Sequence, residues 1–375
     1  MPIVSPVVSD TNICCINLQL SEAEALGAVA PSLEKRDAGI VKSLYSTANG
    51  GPLMVIEDGK EKPSATSSRH AKIKYTKKAC DIGDTDAIDP CDFDADEITN
   101  PFGHANVRIA GLYKWGFKLS DSELLTMCEN RAQFFNTVLS NLLDAAIQGL
   151  DKAMMNQLVP LMGKYPNGEE SLVTPLTLPV VHANGTPNPV GIALAKTLFG
   201  QMNQNGPIVS VGAGYMDIIK NTVGFSTVND GGINTGAFNL NNFFRDSNIN
   251  AHASLTGVDN LLTWLAGSIR VVEFYQNAGD HIEKGPMIEV GGQKWYQSER
   301  SVVELGGVKW DYFMKRDCGE WVFVFQKEFE VVPMPADAFA DCQDYNYAMR
   351  FVMGCGDADC TLLEGFNSIV PAEEE

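Results

Sequence analysis

Gly212 and Gly214 have the spacing that comes closest to a chemical motif in this chain. They follow residues 207–211, an apolar run that predicts a buried strand, and precede a short helix predicted over residues 215–222. A strand, a Gly-x-Gly turn and a helix open a dinucleotide-binding unit, because the glycines let phosphates approach the backbone. However, Asp217 stands where the third glycine belongs. The pattern therefore favours a tight turn and leaves a nucleotide-binding enzyme as the alternative.

Side chains that bind metals are present, but not at the spacing of a known site. Residues 81–97 contain eight acids, and three of them match positions 1, 3 and 5 of a calcium loop: Asp92, Asp94 and Asp96. Glu97 stands where that loop needs glycine, and Gly103 stands where it needs a bidentate glutamate. The segment is more typical of a solvated acidic loop.

The cysteines and histidines give no stronger signal. Cys355 and Cys360 are the closest to a metal pair, with Cys342 upstream, but no histidine lies nearby. Adjacent Cys14 and Cys15 are more typical of two small apolar side chains than of a redox pair. The five histidines are far apart in the sequence: His70, His104, His182, His252 and His281. We predict no catalytic, cofactor-binding or metal-binding residue, and we expect a protein that is not an enzyme.

Composition narrows the function further. The net charge of −19 argues against a protein that grips DNA or RNA through clustered Lys and Arg. A length of 375 residues suits two or more packed units rather than one core. The first residues lack the pattern of a signal peptide, and nine cysteines have no disulfide-framework spacing, so we expect cytoplasmic synthesis with reduced thiols.

The element predicted to organise the fold is a helix over residues 119–160. Ser120 and Glu123 form a capping box at its start, and Pro160 ends it. Apolar residues recur at three- and four-residue steps: Leu124, Cys128, Phe135, Leu139, Leu142, Ala146, Leu150 and Ala153. The 39 residues between Ser120 and Pro160 would make a helix about 58 Å long, and Asp144 and Asp151 argue against a membrane span. It is predicted to be a rigid strut with one packed face.

The front of the chain is predicted to project from the body. Residues 1–40 are typical of an arm with a short helix over residues 21–28. Strand-like residues 53–56 and 71–75 flank a Gly-, Pro- and Ser-rich tip at residues 58–68. A two-stranded hairpin is marginal alone, so we expect another copy of the chain to receive it.

The rest of the chain predicts an α+β fold. Helices are predicted over residues 190–202 and 258–264, and an extended entry to the long helix over residues 107–115. Strands are predicted over residues 269–274, 294–296, 307–314, 320–332 and, as the last one, 347–353. The alternation of apolar and polar residues favours antiparallel pairing, with a turn at residues 316–319.

This order of elements resembles the major capsid proteins of tailed bacteriophages, which have the Hong Kong 97-type fold. Residues 203–217 are similar to the helix, glycine, apolar strand and short helix that open the axial domain of those proteins. Residues 259–273 are similar to a later step in that domain. The resemblance implies five parts: an N-terminal arm (1–40), an extended β-hairpin loop (41–106), a peripheral domain with the spine helix (107–205), an axial domain (206–300), and return strands with a tail (301–375).

The resemblance implies a structural protein that self-assembles into the icosahedral shell around the double-stranded DNA of a phage. It implies a location in the virion, with no membrane and no sequence-specific DNA binding. The implied partners are other copies in hexamers and pentamers, the portal and minor capsid proteins. A separate scaffolding protein is also implied, because the front lacks a long charged helical segment. A non-viral compartment shell or a tail component remains an alternative.

Overall fold

The computed structural model describes residues 37–46, 49, 53–56, 69–77, 101–123, 133–163, 176–182, 188, 207–214, 242–255, 259–276, 283–290, 293–339 and 347–355. Several predictions from the sequence lie outside these residues. They are the arm with its helix, the hairpin tip, the calcium-like acidic loop, the helices over residues 190–202 and 215–222, and the side chains of Cys14, Cys15, Cys342 and Cys360.

Within the described residues, the fold is α+β and dominated by sheets. Its α-helices are α1 (Gly39–Tyr45) and α2 (Gln133–Leu158), and short 3-10 turns cover Val159–Leu161, Ser247–Ala251 and Ala336–Phe339. The strands are β1 (Met54–Ile56), β2 (His70–Thr76), β3 (Phe102–Arg108), β4 (Gly111–Ser120), β5 (Leu176–Val181), β6 (Ile208–Gly212), β7 (Phe243–Arg245), β8 (Asp259–Leu265), β9 (Ile269–Phe274), β10 (Glu283–Lys284), β11 (Met287–Val290), β12 (Gln293–Tyr296), β13 (Ser298–Leu305), β14 (Val308–Asp317), β15 (Glu320–Pro333) and β16 (Ala348–Cys355).

The strands form four sheets. The largest has the order β10-β13-β14-β15-β4, with β9 added to the far half of β15, and every pair in it is antiparallel. A five-stranded sheet has the order β5-β16-β8-β6-β7, in which β5 and β7 pair in parallel with their neighbours. The three-stranded sheet β1-β2-β3 and the hairpin β11-β12 complete the set. The predicted strand regions at the C-terminal end are confirmed.

Two-residue turns fix the register of the largest sheet. Cys318 and Gly319 join β14 to β15 with φ angles of 49° and 84°, and Asp317 pairs with Glu320 across the turn. Two residues with positive φ match the right-handed twist of a hairpin, which explains the glycine. The predicted turn at residues 316–319 is therefore confirmed.

Helix α2 supplies the predicted strut. Its 26 residues make it about 39 Å long, and it packs against β4 and β15. The capping box is confirmed, because the Ser120 amide donates to Glu123 at 2.8 Å and the Glu123 amide donates to the Ser120 hydroxyl at 3.2 Å. The predicted start was early by two residues, since Leu119 and Ser120 still pair within β4 and residues 121–123 are helical. Residues 124–132, between the cap and α2, lie outside the described part.

The buried face of α2 differs slightly from the predicted stripe. Ala146 and Leu150 are buried as predicted, whereas Leu142 and Ala153 are only half-buried. The fully buried line consists of Leu143, Ile147, Leu150, Met154 and Leu158. Close packing explains the glycine at position 149 within the helix, because a Cβ atom there would overlap the Tyr113 hydroxyl on β4.

One predicted helix is wrong. Residues 258–264 were predicted to be helical, but Asp259–Leu265 form β8, the centre of the five-stranded sheet. Each of its seven residues is buried. A strand buried on both faces has no period-2 alternation, so its sequence cannot be told from a buried helix. The extended entry predicted over residues 107–115 is found as the end of β3 and the first half of β4.

Aromatic side chains hold β4 on the largest sheet. Trp115 stacks on Phe325 with 4.2 Å between ring centroids, and Phe117 stacks on Phe323 at 4.8 Å. Trp310 meets the edge of Trp115 at 5.8 Å. Each such pair adds about 0.5–1.5 kcal/mol beyond its buried area. Alternation along β4 therefore fixes which face of this edge strand packs inward.

Candidate assembly surfaces

The sheet β1-β2-β3 contains the predicted hairpin and one additional strand. Met54 to Ile56 pair antiparallel with Ile73 to Tyr75, which confirms the two predicted strands. β3 then pairs along the whole of β2, from His70 opposite Arg108 to Thr76 opposite Phe102. Directly opposed residues share one face of a sheet. The register therefore divides the sheet into an inner and an outer face.

The inner face is attached to the body of the molecule. Met54 and Ile73 are fully buried, and Tyr75 is 2% exposed. The Tyr75 hydroxyl donates to the Asp337 carboxylate, beside the end of β15. Burial and this hydrogen bond raise the pKa of Tyr75 to about 12, so the hydroxyl keeps its proton near neutral pH.

An ion pair also ties the sheet to β15. The Arg69 guanidinium lies 2.7 Å from one oxygen of Glu328 and donates to the other at 3.1 Å. The Glu328 side chain is 4% exposed, whereas that of Arg69 is 54% exposed. A two-point contact of this kind fixes orientation as well as distance.

The outer face of the sheet is basic, and we define it by the side chains opposite the packed ones. It comprises Val55, His70, Lys72, Lys74, Phe102, His104, Asn106 and Arg108. β1, β2 and β3 contain no acidic residue. Val55 is 52% exposed and Phe102 is 54% exposed, and the Lys74 ammonium lies 4.7 Å from the Phe102 ring centroid. Cations and open apolar side chains thus share one surface.

The base of the N-terminal arm is held by buried carboxyl groups. The Val41 amide donates to Asp151 of α2 at 3.0 Å, and the Ile40 amide donates to Asp246 at 3.1 Å. Asp151 and Asp246 are fully buried. These bonds satisfy amides in the first turn of α1, which have no partner within the helix. They attach α1 to the long helix and to the end of β7.

The pKa of Asp151 is shifted by burial and by other acidic side chains, and no cation is among the causes. Burial, followed by the neighbouring Asp246, raises the pKa of Asp151 well above its ordinary value, and Asp37 acts in the same direction. The folded state therefore favours the protonated form of Asp151 more than the unfolded chain does, because two adjacent buried carboxylates repel each other. Sequence reasoning used Asp151 only to exclude a membrane span. Asp151 directly follows Leu150, which lies on the apolar face of the helix. This position was the signal in the sequence from which the burial of Asp151 could have been inferred.

A second buried polar cluster surrounds Lys327 on β15. Its side chain is 1% exposed, and its ammonium lies 2.6 Å from Glu273, 2.7 Å from the Tyr275 hydroxyl and 2.9 Å from the Lys309 carbonyl. Tyr45 of α1 also hydrogen-bonds to Glu273. The ammonium has one ion pair and two hydrogen bonds, and these contacts offset the free-energy cost of removing it from water. The arm base is thus joined to the largest sheet as well.

The turn at Gly212 and Gly214 has a hydrogen-bond partner within the chain. The Gly214 amide donates to the Asp259 carboxylate at 3.2 Å, and the Asn250 amide group donates to the same oxygen at 2.7 Å. A carboxylate in front of this amide repels a phosphate, which is also an anion. The strand before the turn is confirmed as β6.

The other candidate residues do not converge. His70 and His104 lie on the outer face of the hairpin sheet, His182 and His252 are half-buried elsewhere, and Cys318 is an exposed free thiol in a turn. Across the described ranges, no group of three or more His, Cys, Asp or Glu side chains is placed to hold a metal ion. None of the helices in that same part of the chain is both long and apolar enough to cross a membrane.

Comparison with known proteins gives likenesses in structure alone. No family model matches the chain, and no curated protein matches it. Among solved structures, it is similar to the capsid of cyanophage A-1(L), with a TM-score of 0.41, 9% identity, and coverage of 76% of this chain and 87% of that one. The capsid of Ralstonia phage GP4 gives a TM-score of 0.39, 11% identity, and coverage of 94% and 95%.

The mature capsid of bacteriophage PhiM1 is also similar, with a TM-score of 0.39, 7% identity, and coverage of 77% of this chain and 83% of that one. All three of these structures are phage capsids.

Proposed function

We propose that the chain is the major capsid protein of a tailed bacteriophage, of the Hong Kong 97 type, and that it self-assembles into the icosahedral shell around double-stranded DNA. The observation that carries this proposal is a sheet with one face fixed to the body and the other open. Exposed large apolar side chains such as Val55 and Phe102 mark a surface that meets another protein. The 26-residue α2 stiffens the body that presents this sheet.

The described contacts support an assembling protein more than an enzyme. Asp259 occupies the turn that a nucleotide-binding enzyme would need, and the buried clusters around Asp151 and Lys327 hold elements together. A net charge of −19 keeps the chain from gripping the packaged DNA. A closed shell gains strength from many weak contacts, which suits a chain with an arm and an open sheet.

The parts implied by the resemblance are included in the proposal. They are the arm (1–40), the extended loop (41–106), the peripheral domain (107–205 with 301–375) and the axial domain (206–300). Shared strands would make the last two one body, because β9 pairs with β15 and β16 pairs with β8. The proposed location is the virion, after synthesis in the host cytoplasm. The proposed partners are a separate scaffolding protein, the portal and minor capsid proteins.

Electron microscopy and light scattering of the purified full chain test this proposal. We expect closed shells, or hexamers and pentamers, either with the chain alone or after co-expression with a scaffolding protein from the same genome. A chain that stays a monomer under both conditions contradicts the proposal. Nucleotides that raise the melting temperature would instead favour the enzyme, since a ligand that binds the native state stabilises it.

A further inference from the structure

We propose that the outer face of β1-β2-β3 docks the acidic segment of a neighbouring copy, residues 81–97. This inference rests on the proposed function, because it names the contact through which copies join. The outer face bears the cations Lys72, Lys74 and Arg108, flanked by two histidines. The described residues form no ion pair with these three cations.

The acidic segment matches this face in charge and in apolar content. Its 17 residues contain eight Asp or Glu and no Lys, Arg or His. Ile82, Ile88 and Phe93 are interspersed among the acids. The outer face offers Val55 and Phe102 as exposed apolar contacts. A surface that combines cations with aromatic and aliphatic side chains can therefore bind both parts of such a segment.

Charge explains why the contact needs this pairing. Two copies that each carry a net charge of −19 repel each other over the Debye length, which is about 10 Å at 0.1 M salt. A basic face that receives an acidic segment reverses this repulsion where the copies touch. Face and segment are different parts of one chain, so copies can join head-to-tail, each face receiving the segment of the next copy. Contacts of that kind close into rings when the rotation permits, as a hexamer or pentamer requires.

The same placement disfavours nucleic acid as the occupant. The Lys77 amide donates to the Pro101 carbonyl at 2.9 Å, so the two residues that flank the acidic segment meet at one end of this sheet. The chain between them contains eight acidic residues. They repel a phosphate backbone that would approach the same cations.

Charge-reversal variants of the full chain test the docking in trans. Variant one carries Lys72→Glu and Lys74→Glu. Variant two carries Asp84→Lys, Asp86→Lys, Asp89→Lys, Asp92→Lys and Asp94→Lys, which leaves three acids beside five lysines and so gives the segment a net positive charge. Each variant alone should lose particle yield at least tenfold, because face and segment then have the same sign. An equimolar mixture should recover assembly in part. Alternating copies find opposite charges at every contact in a hexamer, whereas a ring of five keeps one like-charged contact. The control Lys114→Glu with Lys152→Glu, at exposed positions on β4 and α2, should keep the wild-type yield.

The outcomes separate the possible partners. Recovery in one chain carrying all seven substitutions, without recovery in the mixture, overturns the proposal in favour of docking within the chain. Unchanged yields for both variants also overturn it. Binding of a duplex oligonucleotide by the wild type, lost in variant one, overturns it in favour of nucleic acid.

A crosslinking experiment needs no variant and separates this inference from the proposed function. Wild-type chains labelled with heavy and light nitrogen are mixed before assembly and treated with a carbodiimide, which joins amines to contacting carboxylates. We expect heavy–light crosslinks from Lys72 or Lys74 to residues 81–97. Shells without these crosslinks contradict the docking alone, whereas a chain that remains a monomer contradicts the proposed function.

Discussion

Lys327 and Lys74 lie on strands of the same molecule in opposite surroundings. Lys327 is enclosed by a carboxylate, a hydroxyl and a carbonyl, all within 2.9 Å of its ammonium. Lys74 lies on the open face of the hairpin sheet, with its ammonium above the Phe102 ring. A charge enclosed with its partners stabilises the fold, whereas a charge left open is available to another molecule. The body and the outer face thus use the same residue type for different purposes.

Among the substitutions that test this difference, replacing Lys327 should change the unfolding free energy most. Lys327→Ala leaves Glu273 and the Lys309 carbonyl without their cation in a buried site. Removing one partner of a buried pair costs about 3–5 kcal/mol of unfolding free energy. Urea unfolding of the unassembled chain measures this loss, with Lys114→Ala as the control on an exposed strand position. A loss below about 1 kcal/mol would show that the buried cluster does not hold the body together.

The next largest effect is expected at Asn49, which is fully buried. Its side chain accepts from the Trp264 indole at 3.1 Å and from the Gly267 amide at 3.2 Å, and it donates to the Ile269 carbonyl at 2.9 Å. Asn49→Ala should cost about 3 kcal/mol, because each buried group left unpaired costs about 1–3 kcal/mol.

The matched control for Asn49 is Asn106→Ala, which removes the same side chain from the outer face. It should change the unfolding free energy by less than about 0.5 kcal/mol, as is usual for exposed positions. Equal losses at the two asparagines would erase the distinction between the body and the open face.

Asp151→Asn should have a smaller effect and the opposite sign. Because burial and Asp246 raise the pKa of Asp151, its contribution is favourable below the pKa of the unfolded chain, and stability is lost as the pH rises toward the folded pKa. Asparagine keeps an acceptor for the Val41 amide and carries no charge. The melting temperature of the variant should exceed that of the wild type by a margin that grows from pH 5 to pH 8. A margin independent of pH would refute the buried protonated carboxyl.

The smallest effect on stability is expected on the outer face. Lys72→Gln with Lys74→Gln should change the unfolding free energy of the unassembled chain by less than about 0.5 kcal/mol. The same double variant should reduce assembly, because only the contact between copies uses these charges. Loss of stability comparable to that of Lys327→Ala would mean that the outer face belongs to the fold of its own chain.

The elements that could be predicted are those with a clear residue pattern in the sequence. Residues 320–332 alternate along β15, and the Ser120–Glu123 pair has the spacing of a capping box, so both were identified. β8 was missed because every position in it is buried, which removes the alternation. α1 was missed because seven residues carry too little pattern, and its first turn is capped by Asp151 and Asp246, which are distant in sequence.

The polar clusters were harder to predict than the elements. Lys327 falls in the same period-2 row as Phe325 and Phe329, so its burial could have been inferred from that alternation. Its partners Glu273 and Tyr275 come from another strand, and only the register of β9 on β15 brings them together. The outer face was not predicted, although His70, Lys72 and Lys74 alternate with Ala71, Ile73 and Tyr75 in the sequence.

A cryo-electron microscopy reconstruction of the particle that the full chain forms with the proposed scaffolding protein shows most directly whether copies join through the outer face. We expect a closed icosahedral shell in which the outer face of β1-β2-β3 is covered by residues 81–97 of a neighbouring copy. Particles whose outer face points into solvent at every subunit, or a chain that forms no closed shell, would contradict this expectation.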